Sequence, residues 1–150
     1  MSLRSIFRRY AKRQAVGGIV YANVSGYGII LNSENYSDSV AFYRDLFGLP
    51  LLFEKNDDGF KLACFEYGSG YLMVEQGGKA KKGIKSPKEC SFKLRFNVDD
   101  LEDALREIRS LGIEASITES AWGRTINISD PDGNRVGVRD ESGFVQQITA

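Results

Sequence analysis

Four cations recur on one face of two predicted β-strands in the second half of the chain. Lys93 and Arg95 alternate with apolar residues in a strand predicted at residues 92–98, and Arg135 and Arg139 do the same in the last predicted strand. Because successive side chains of a strand point to opposite faces, each pair shares the face that the apolar side chains leave free. Clustered ammonium and guanidinium groups bind carboxylates and phosphates, so these residues predict a site for an anionic ligand.

Glu75 supplies a carboxylate on the corresponding face of a strand predicted at residues 71–76, which it shares with Tyr71 and Met73. A carboxylate can act as a general base while Lys93 stabilises a developing oxyanion, so Glu75 and Lys93 are the candidate catalytic residues. The same two groups can instead form a structural ion pair in a filled cavity. The residue types leave both interpretations open.

Metal chemistry is disfavoured by the composition. The chain contains no histidine, and its two cysteines, Cys64 and Cys90, lack the spacing of metal ligands. A divalent transition metal needs several N, O or S donors that converge on one point. We therefore expect no metal and no cofactor. Two cysteines are also too few for a disulfide framework, so the cytoplasm is the expected compartment.

Aromatic residues can add a flat apolar wall to such a site. Trp122 is the strongest single candidate for a ligand contact, because it stands at a loop where a strand begins. Most other aromatic residues of the predicted strands, such as Phe53 and Phe65, are better explained as core or dimer-interface residues.

The elements that position these residues occur twice in the same order. Each half reads as a strand, a helix and three strands, and the two helices end at Gly48 and Gly112. The predicted strands span residues 27–32, 51–55, 60–67, 71–76, 92–98, 114–118, 124–129 and 135–139. One such unit leaves a sheet face uncovered, so the two units must pack together in an α+β fold.

Composition divides the chain into a basic N-terminal arm (residues 1–26), a first βαβββ module (27–76), a lysine-rich connection (77–90) and a second βαβββ module with a C-terminal tail (91–150). Five of the 20 basic residues precede residue 14, so 15 remain against 20 acidic residues, a net charge of about −5 that does not favour nucleic acid. No apolar run approaches the roughly 20 residues of a membrane span.

The last predicted hairpin has a distinctive pattern: a Trp-Gly pair at 122–123, a short strand, Asp-Pro-Asp-Gly-Asn at 130–134 and a second strand. Pro131 presets φ in the turn, Asp132 can bond its own backbone, and Gly133 accepts a positive φ. Together with the repeated element order, this hairpin resembles the vicinal-oxygen-chelate superfamily. That superfamily includes glyoxalase I, extradiol dioxygenases, fosfomycin-resistance thiol transferases and bleomycin-resistance proteins.

The resemblance implies that the two modules form a cup of mixed β-sheet with helices outside, and that two chains share or exchange halves as a homodimer. Metal-dependent relatives carry ligands at positions that fall here on Gly28, Lys93 and Gly137, and on either Glu75 or Met73 of the fourth strand. We interpret the chain as a member that lacks the usual metal ligands.

Three functions are compatible with these residues. The leading hypothesis is a glyoxalase- or bleomycin-resistance-like protein that binds a small anionic or aromatic molecule without a metal. Its predicted contacts are Tyr71, Met73, Glu75, Lys93, Arg95, Trp122, Arg135 and Arg139. The first alternative is a metal-independent lyase, isomerase or transferase that uses Glu75 and Lys93. The second is a structural or regulatory partner protein with a filled cup, and whether any reaction is catalysed stays open.

Overall fold

Two βαβββ modules build the protein, and the computed structural model describes residues 24–150 of the chain. Residues 1–23 of the predicted basic arm therefore lie outside the described residues. The first module contains β1 (Gly28–Ser33), α1 (Tyr36–Ala41, continued by a π-helical turn over Phe42–Leu46), β2 (Leu51–Asp57), β3 (Phe60–Tyr67) and β4 (Gly70–Gln76). The second contains β5 (Leu94–Val98), α2 (Leu101–Ser110), β6 (Ile117–Ser120), β7 (Gly123–Ser129) and β8 (Arg135–Asp140), followed by α3 (Glu141–Thr149).

Each module forms a mixed four-stranded sheet, called sheet A in the first module and sheet B in the second. The strand orders are β1-β4-β3-β2 and β5-β8-β7-β6. The first strand of each module pairs in parallel with the last one, and all other pairs are antiparallel. The predicted α+β class and the repeated βαβββ order are therefore confirmed.

Local signals set the helix ends. The carboxylate of Asp100 accepts a hydrogen bond from the amide of Asp103 at 2.8 Å and so caps α2. Asn35 precedes α1, but its side chain makes no capping hydrogen bond to that helix. Gly48 and Gly112 follow the helices with φ values of 60° and 78°, a left-handed conformation that glycine adopts without steric cost.

The two modules share one hydrophobic core. Its fully buried strand residues include Leu72, Val74, Leu94, Ile126, Val136 and Val138. The rings of Tyr43 and Phe47 stack on Phe96 of β5, with ring centroids 6.4 Å and 3.7 Å apart. Burial of these aromatic rings supplies a large apolar contact, so the helical segment of the first module is joined directly to sheet B.

The turn at residues 130–134 holds the start of the first helix. Asp132 in this turn is fully buried. Its carboxylate accepts hydrogen bonds from the backbone amides of Glu34 at 2.7 Å and Asn35 at 3.0 Å, and from the Asn35 side chain at 3.0 Å. These amides precede the helix and have no partner within it, so an acidic residue of the second module satisfies them.

Asp130 organises the same turn from within. Its carboxylate accepts from the backbone amides of Asp132 and Asn134, both at 2.9 Å, and from the hydroxyl of Tyr43 at 2.7 Å. Burial and the nearby charge of Asp130 raise the pKa of Tyr43, so its hydroxyl stays protonated and donates. The expectation that Asp132 bonds its own backbone is therefore wrong: Asp130 makes the local bonds, and Asp132 reaches the other module.

Helix α3 replaces the tail that was expected at the C-terminus. Asp140 caps it by accepting a hydrogen bond from the amide of Gly143 at 2.8 Å. Its short length and the glycine in its first turn weaken the helical pattern in the sequence. None of its residues is buried, and it packs on β5, β7 and β8. No helix within residues 24–150 has the length and apolarity needed to cross a membrane.

Replacing Asp132 with alanine should destabilise the protein, because the amides of Glu34 and Asn35 lose their charged acceptor inside the structure. Hydrogen bonds to charged groups contribute about 1.5–3 kcal/mol each, so we expect the free energy of unfolding to fall by roughly 3–5 kcal/mol. Urea denaturation followed by circular dichroism measures this loss. Asp57→Ala, at an exposed position of β2, is the control and should change stability by about 0–0.5 kcal/mol. Equal stability of the two variants would contradict the anchoring role of Asp132.

Candidate functional site

One face of sheet B carries Lys93, Arg95, Arg135 and Arg139, and we call it the cationic face. Lys93, which directly precedes β5, and Arg95 both lie over Gly137 of β8. A Cβ atom at Gly137 would stand 3.2 Å from the Cδ of Lys93 and 3.3 Å from the Cζ of Arg95. The missing side chain at Gly137 therefore gives the two cations room to come together, and the predicted face of these strands is correct.

Hydrogen bonds to neutral acceptors hold the two arginines of β8. Arg135 donates through Nη2 to the carbonyls of Cys90 at 3.1 Å and Phe92 at 3.2 Å. Arg139 donates through Nη1 and Nη2 to Oε1 of Gln147 in α3, at 3.2 Å each. These bonds fix both guanidinium groups but bring no negative charge to them.

None of the four cations forms an ion pair with a carboxylate within residues 24–150. The ammonium of Lys93 donates to the neutral amide oxygen of Asn127 at 3.0 Å. Partial burial, and then the charges of Arg95 and Arg135, lower the pKa of Lys93. Partial burial and then Arg139 likewise lower the pKa of Arg95. The cations repel one another, so a negative charge among them would be favourable.

Tyr71, Met73 and Glu75 share one face of β4, as strand alternation predicts. The side chains between them are fully buried, while Tyr71 is 37% exposed and the other two are partly exposed. The Tyr71 ring covers Gly28 of the adjacent strand β1, where any side chain would collide with it. Glu75 accepts a hydrogen bond from the side chain of Asn32 at 3.4 Å. Sheet A thus presents a surface of mixed aromatic and acidic character.

The expected ion pair between Glu75 and Lys93 is not formed within the described part of this chain. Glu75 bonds Asn32 in sheet A, whereas Lys93 bonds Asn127 in sheet B. Alternation assigns each side chain to a face of its own sheet, but it carries no information about how one sheet is placed against the other. The two candidate catalytic residues therefore make no direct ion pair in a single copy.

Trp122 lies on the turn between β6 and β7, and its side chain is 78% exposed. Its backbone carbonyl is the engaged group: it accepts from Nη2 of Arg139 at 3.1 Å and from the side-chain amide of Gln147 at 2.7 Å. The indole itself has no such contact to the cationic face. The loop position was predicted correctly, while the structure engages a different part of the residue.

Sequence reasoning missed three residues beside the cationic face. Asn127 is the register partner of Gly137, so the sheet register would have identified it. Gln147 and Phe144 come from α3, and the Phe144 ring centroid lies 5.4 Å from the guanidinium carbon of Arg139. Neither had a signal in the sequence, because the helix that carries them was not predicted.

The positions that the resemblance assigns to metal ligands offer few donors for a metal. Gly28 and Gly137 have no side chain, and Lys93 brings a positive charge. Across residues 24–150, no three Cys, Asp or Glu side chains lie close enough to hold a metal ion. This donor set does not fit a divalent transition metal.

The repeated module and the closing hairpin match a known family profile. The profile of the Glyoxalase/Bleomycin resistance protein/Dioxygenase superfamily matches residues 27–138. The chain belongs to this superfamily. The resemblance read from the hairpin and the repeat is therefore confirmed, and the matched range includes both sheets.

Similar proteins differ widely in what they are described to do. The uncharacterized protein YraH of Bacillus subtilis (strain 168) is 26% identical over 115 residues, 69% of this chain and 88% of YraH. TnmS3, an antibiotic binding protein from Streptomyces sp. CB03234, is 18% identical with a TM-score of 0.64, covering 81% of this chain and 100% of TnmS3. Lactoylglutathione lyase from Agrobacterium tumefaciens is 22% identical with a TM-score of 0.59, and the match covers 77% of this chain and 93% of the lyase. A mutant form of the fosfomycin resistance protein FosX from Listeria monocytogenes, solved with Mn(II), is 15% identical with a TM-score of 0.57. The match covers 79% of this chain and 92% of FosX. At these identities the solved structures establish the shared fold alone.

Purified protein should carry no stoichiometric zinc, nickel, iron or manganese, because Gly28, Lys93 and Gly137 stand where ligands would converge. Elemental analysis by mass spectrometry after dialysis measures the metal content. Gly137→Glu restores one carboxylate but leaves Lys93 in place, so this variant should also bind no metal. One equivalent of tightly held metal per wild-type chain would show that the ligand positions are aligned wrongly.

Proposed function

We propose that the protein binds a small molecule through an anionic group on its cationic face, without a metal. The observation that carries this proposal is the convergence of Lys93 and Arg95 over Gly137, with no carboxylate paired to them in the described part of the chain. An anion at this point relieves the repulsion between the cations and accepts charge-assisted hydrogen bonds from both. Carboxylates and phosphates are the fitting groups.

The likeness to an antibiotic binding protein agrees with a binding role. TnmS3 shares the fold and is described by its ligand rather than by a reaction. Lactoylglutathione lyase and Mn(II)-containing FosX share the same fold, so the fold itself does not choose between binding and catalysis. The donor set supports a function without a metal, because this chain offers cations where a metal site needs lone pairs.

We propose a homodimer in which sheet A of one copy faces the cationic face of the other. All seven residues of edge strand β2 are exposed, among them Leu51, Leu52 and Phe53. An unpaired edge strand with exposed apolar residues is a typical association surface. Sheet register places Glu66 on the same face as Glu75, so acidic groups of one copy would oppose the cations of the other.

This arrangement also supplies the rest of the ligand site. Tyr71 and Met73 of the second copy provide an aromatic and apolar wall for the uncharged part of a ligand. The ligand is therefore expected to combine an anionic group with a flat or apolar portion.

A metal-independent lyase, isomerase or transferase is the second candidate function, and the lowered pKa of Lys93 favours it. In the proposed dimer, Glu75 of one copy comes within reach of Lys93 of the other, so a base and an oxyanion partner can share one substrate. A partner protein with a filled cup is the third candidate. Deleting residues 1–13 distinguishes it, because only that function needs the basic arm.

Lys93→Met should weaken the binding of phenyl phosphate, a probe that combines an aromatic ring with an anionic group. Losing a hydrogen bond to a charged group costs about 1.5–3 kcal/mol, so the dissociation constant should rise about 10- to 150-fold. Isothermal titration calorimetry measures it. Lys82→Met, in the exposed connection, is the matched control and should leave the constant unchanged. Equal constants for both variants, or no binding to the wild type, would contradict the proposed site.

The same titration has a pH control. The anion binds the protonated form of Lys93, whose pKa lies below the ordinary lysine value of 10.5. Affinity should therefore fall as pH rises through the pKa of Lys93, and this fall should begin at a lower pH than for an isolated lysine. Lys93→Arg keeps its charge over the whole range and should remove the pH dependence. A wild type whose affinity is independent of pH would argue against contact with Lys93.

The wild type should sediment as a dimer at micromolar concentration, because β2 exposes apolar residues along a free edge. Phe53→Lys places a charge in that surface and should shift the protein to the monomer. Leu111→Lys alters an apolar residue that is also exposed, at 59%, but lies at the end of α2, so it should stay dimeric. Sedimentation velocity compares the three proteins, and a monomeric wild type would exclude the proposed dimer.

A further inference from the structure

Arg139 is the member of the cationic face whose terminal nitrogens are both occupied by one side-chain oxygen. Each donates to Oε1 of Gln147 at 3.2 Å, and Nη2 also donates to the carbonyl of Trp122 at 3.1 Å. The Gln147 amide nitrogen donates in turn to the carbonyl of Trp122 at 2.7 Å, which fixes the orientation of the amide. The Gln147 oxygen therefore occupies the position at Arg139 where an oxygen of a ligand carboxylate or phosphate would accept the same two hydrogen bonds.

Gln147 satisfies the geometry of Arg139 but not its charge. The side chain of Arg139 is only 8% exposed, and its Nε is buried without a hydrogen-bond partner. The neighbouring acid, Asp140, forms no direct ion pair with it: its carboxylate caps α3 through the amide of Gly143, and that hydrogen bond, more than the charge of Arg139, lowers the pKa of Asp140. A buried charge held by a neutral acceptor is less stable than the same charge held by an anion.

Helix α3 is held only weakly. It has nine residues and none of them is buried, and a helix of that length has little stability of its own. Its contacts to the cationic face are the Gln147 hydrogen bonds and the Phe144 ring against Arg139. Loss of the Gln147 side chain therefore removes the hydrogen bonds that join the helix to Arg139 and Trp122, and leaves only its surface packing on β5, β7 and β8.

We infer that α3 is a displaceable strap in which Gln147 stands in for an anionic group of the ligand at Arg139. This inference rests on the proposed function and extends it. Arg139 is near enough to Arg95 for its charge to act on that guanidinium. Once the strap is displaced, the side chains of Lys93, Arg95 and Arg139 form one continuous group of cationic hydrogen-bond donors. The site then selects ligands with a doubly charged group, such as a phosphate monoester, over monocarboxylates.

Two opposite substitutions at Gln147 test the strap. Gln147→Ala removes the side-chain acceptor from Arg139 and leaves its bond to the Trp122 carbonyl. It should lower the dissociation constant for phenyl phosphate about three- to tenfold, and it should lower the constant for benzoate by a smaller factor. Gln147→Glu supplies the missing negative charge to Arg139 and should raise the constant for phenyl phosphate. Gln146→Ala, at the neighbouring exposed position of the helix, is the matched control and should change neither. Calorimetric titrations at about pH 8 keep the phosphate doubly charged.

Hydrogen exchange of the wild type gives an independent readout. Saturating phenyl phosphate should speed amide exchange in α3, because the ligand displaces the helix, whereas a ligand bound elsewhere leaves exchange unchanged. Unchanged or slower exchange in α3, or equal affinity of the alanine and glutamate variants, would overturn the strap. If Lys93→Met still weakens the binding of phenyl phosphate in that case, the anion site stands without the strap. Failure of phenyl phosphate to bind any of these proteins would overturn both the site and the strap.

Discussion

The buried carboxylates of one turn, Asp130 and Asp132, hold the two modules in place. Asp130 accepts a hydrogen bond from the hydroxyl of Tyr43, and Asp132 accepts hydrogen bonds from the amides that precede α1. A buried carboxylate is tolerated only when donors satisfy its oxygens, so the turn needs the first module as much as that module needs the turn. The turn connects β7 to β8, and β8 carries Gly137. The hydrogen bonds of the turn to the first module therefore help to set where the cationic face lies relative to sheet A.

The positions that the resemblance assigns to metal ligands have a different electrostatic character in this chain. Gly137 has no side chain, and the stem of Lys93 packs over it. A divalent cation needs converging lone pairs, whereas these residues offer converging N–H donors. These residues therefore support the proposal of an anion site without a metal.

The two sheets contribute unequally to this surface. Sheet B provides the positive charge and is partly covered by α3, which contacts Arg139 through Gln147 and Phe144. Sheet A carries Tyr71 and Glu75 on one face and an open edge along β2. We thus expect the charged group of a ligand to contact the second module and its apolar portion to contact the first module. The specificity of the site follows from how the two modules are brought together.

The amino-acid sequence by itself determined the elements and their faces. Alternation in the strands and the helix-ending Gly48 and Gly112 were enough to predict both modules, because they reflect the local backbone period and local sterics. The same local rule placed Lys93 and Arg95 on one face of sheet B. Tertiary structure alone decided that Glu75 and Lys93 do not pair within a chain. The relative placement of the sheets comes from contacts between residues far apart in sequence, which local periodicity does not encode. Helix α3 and the bond from Gln147 to Arg139 were hidden for a related reason: that helix has no buried apolar face, and it is held by its contact with the folded sheet.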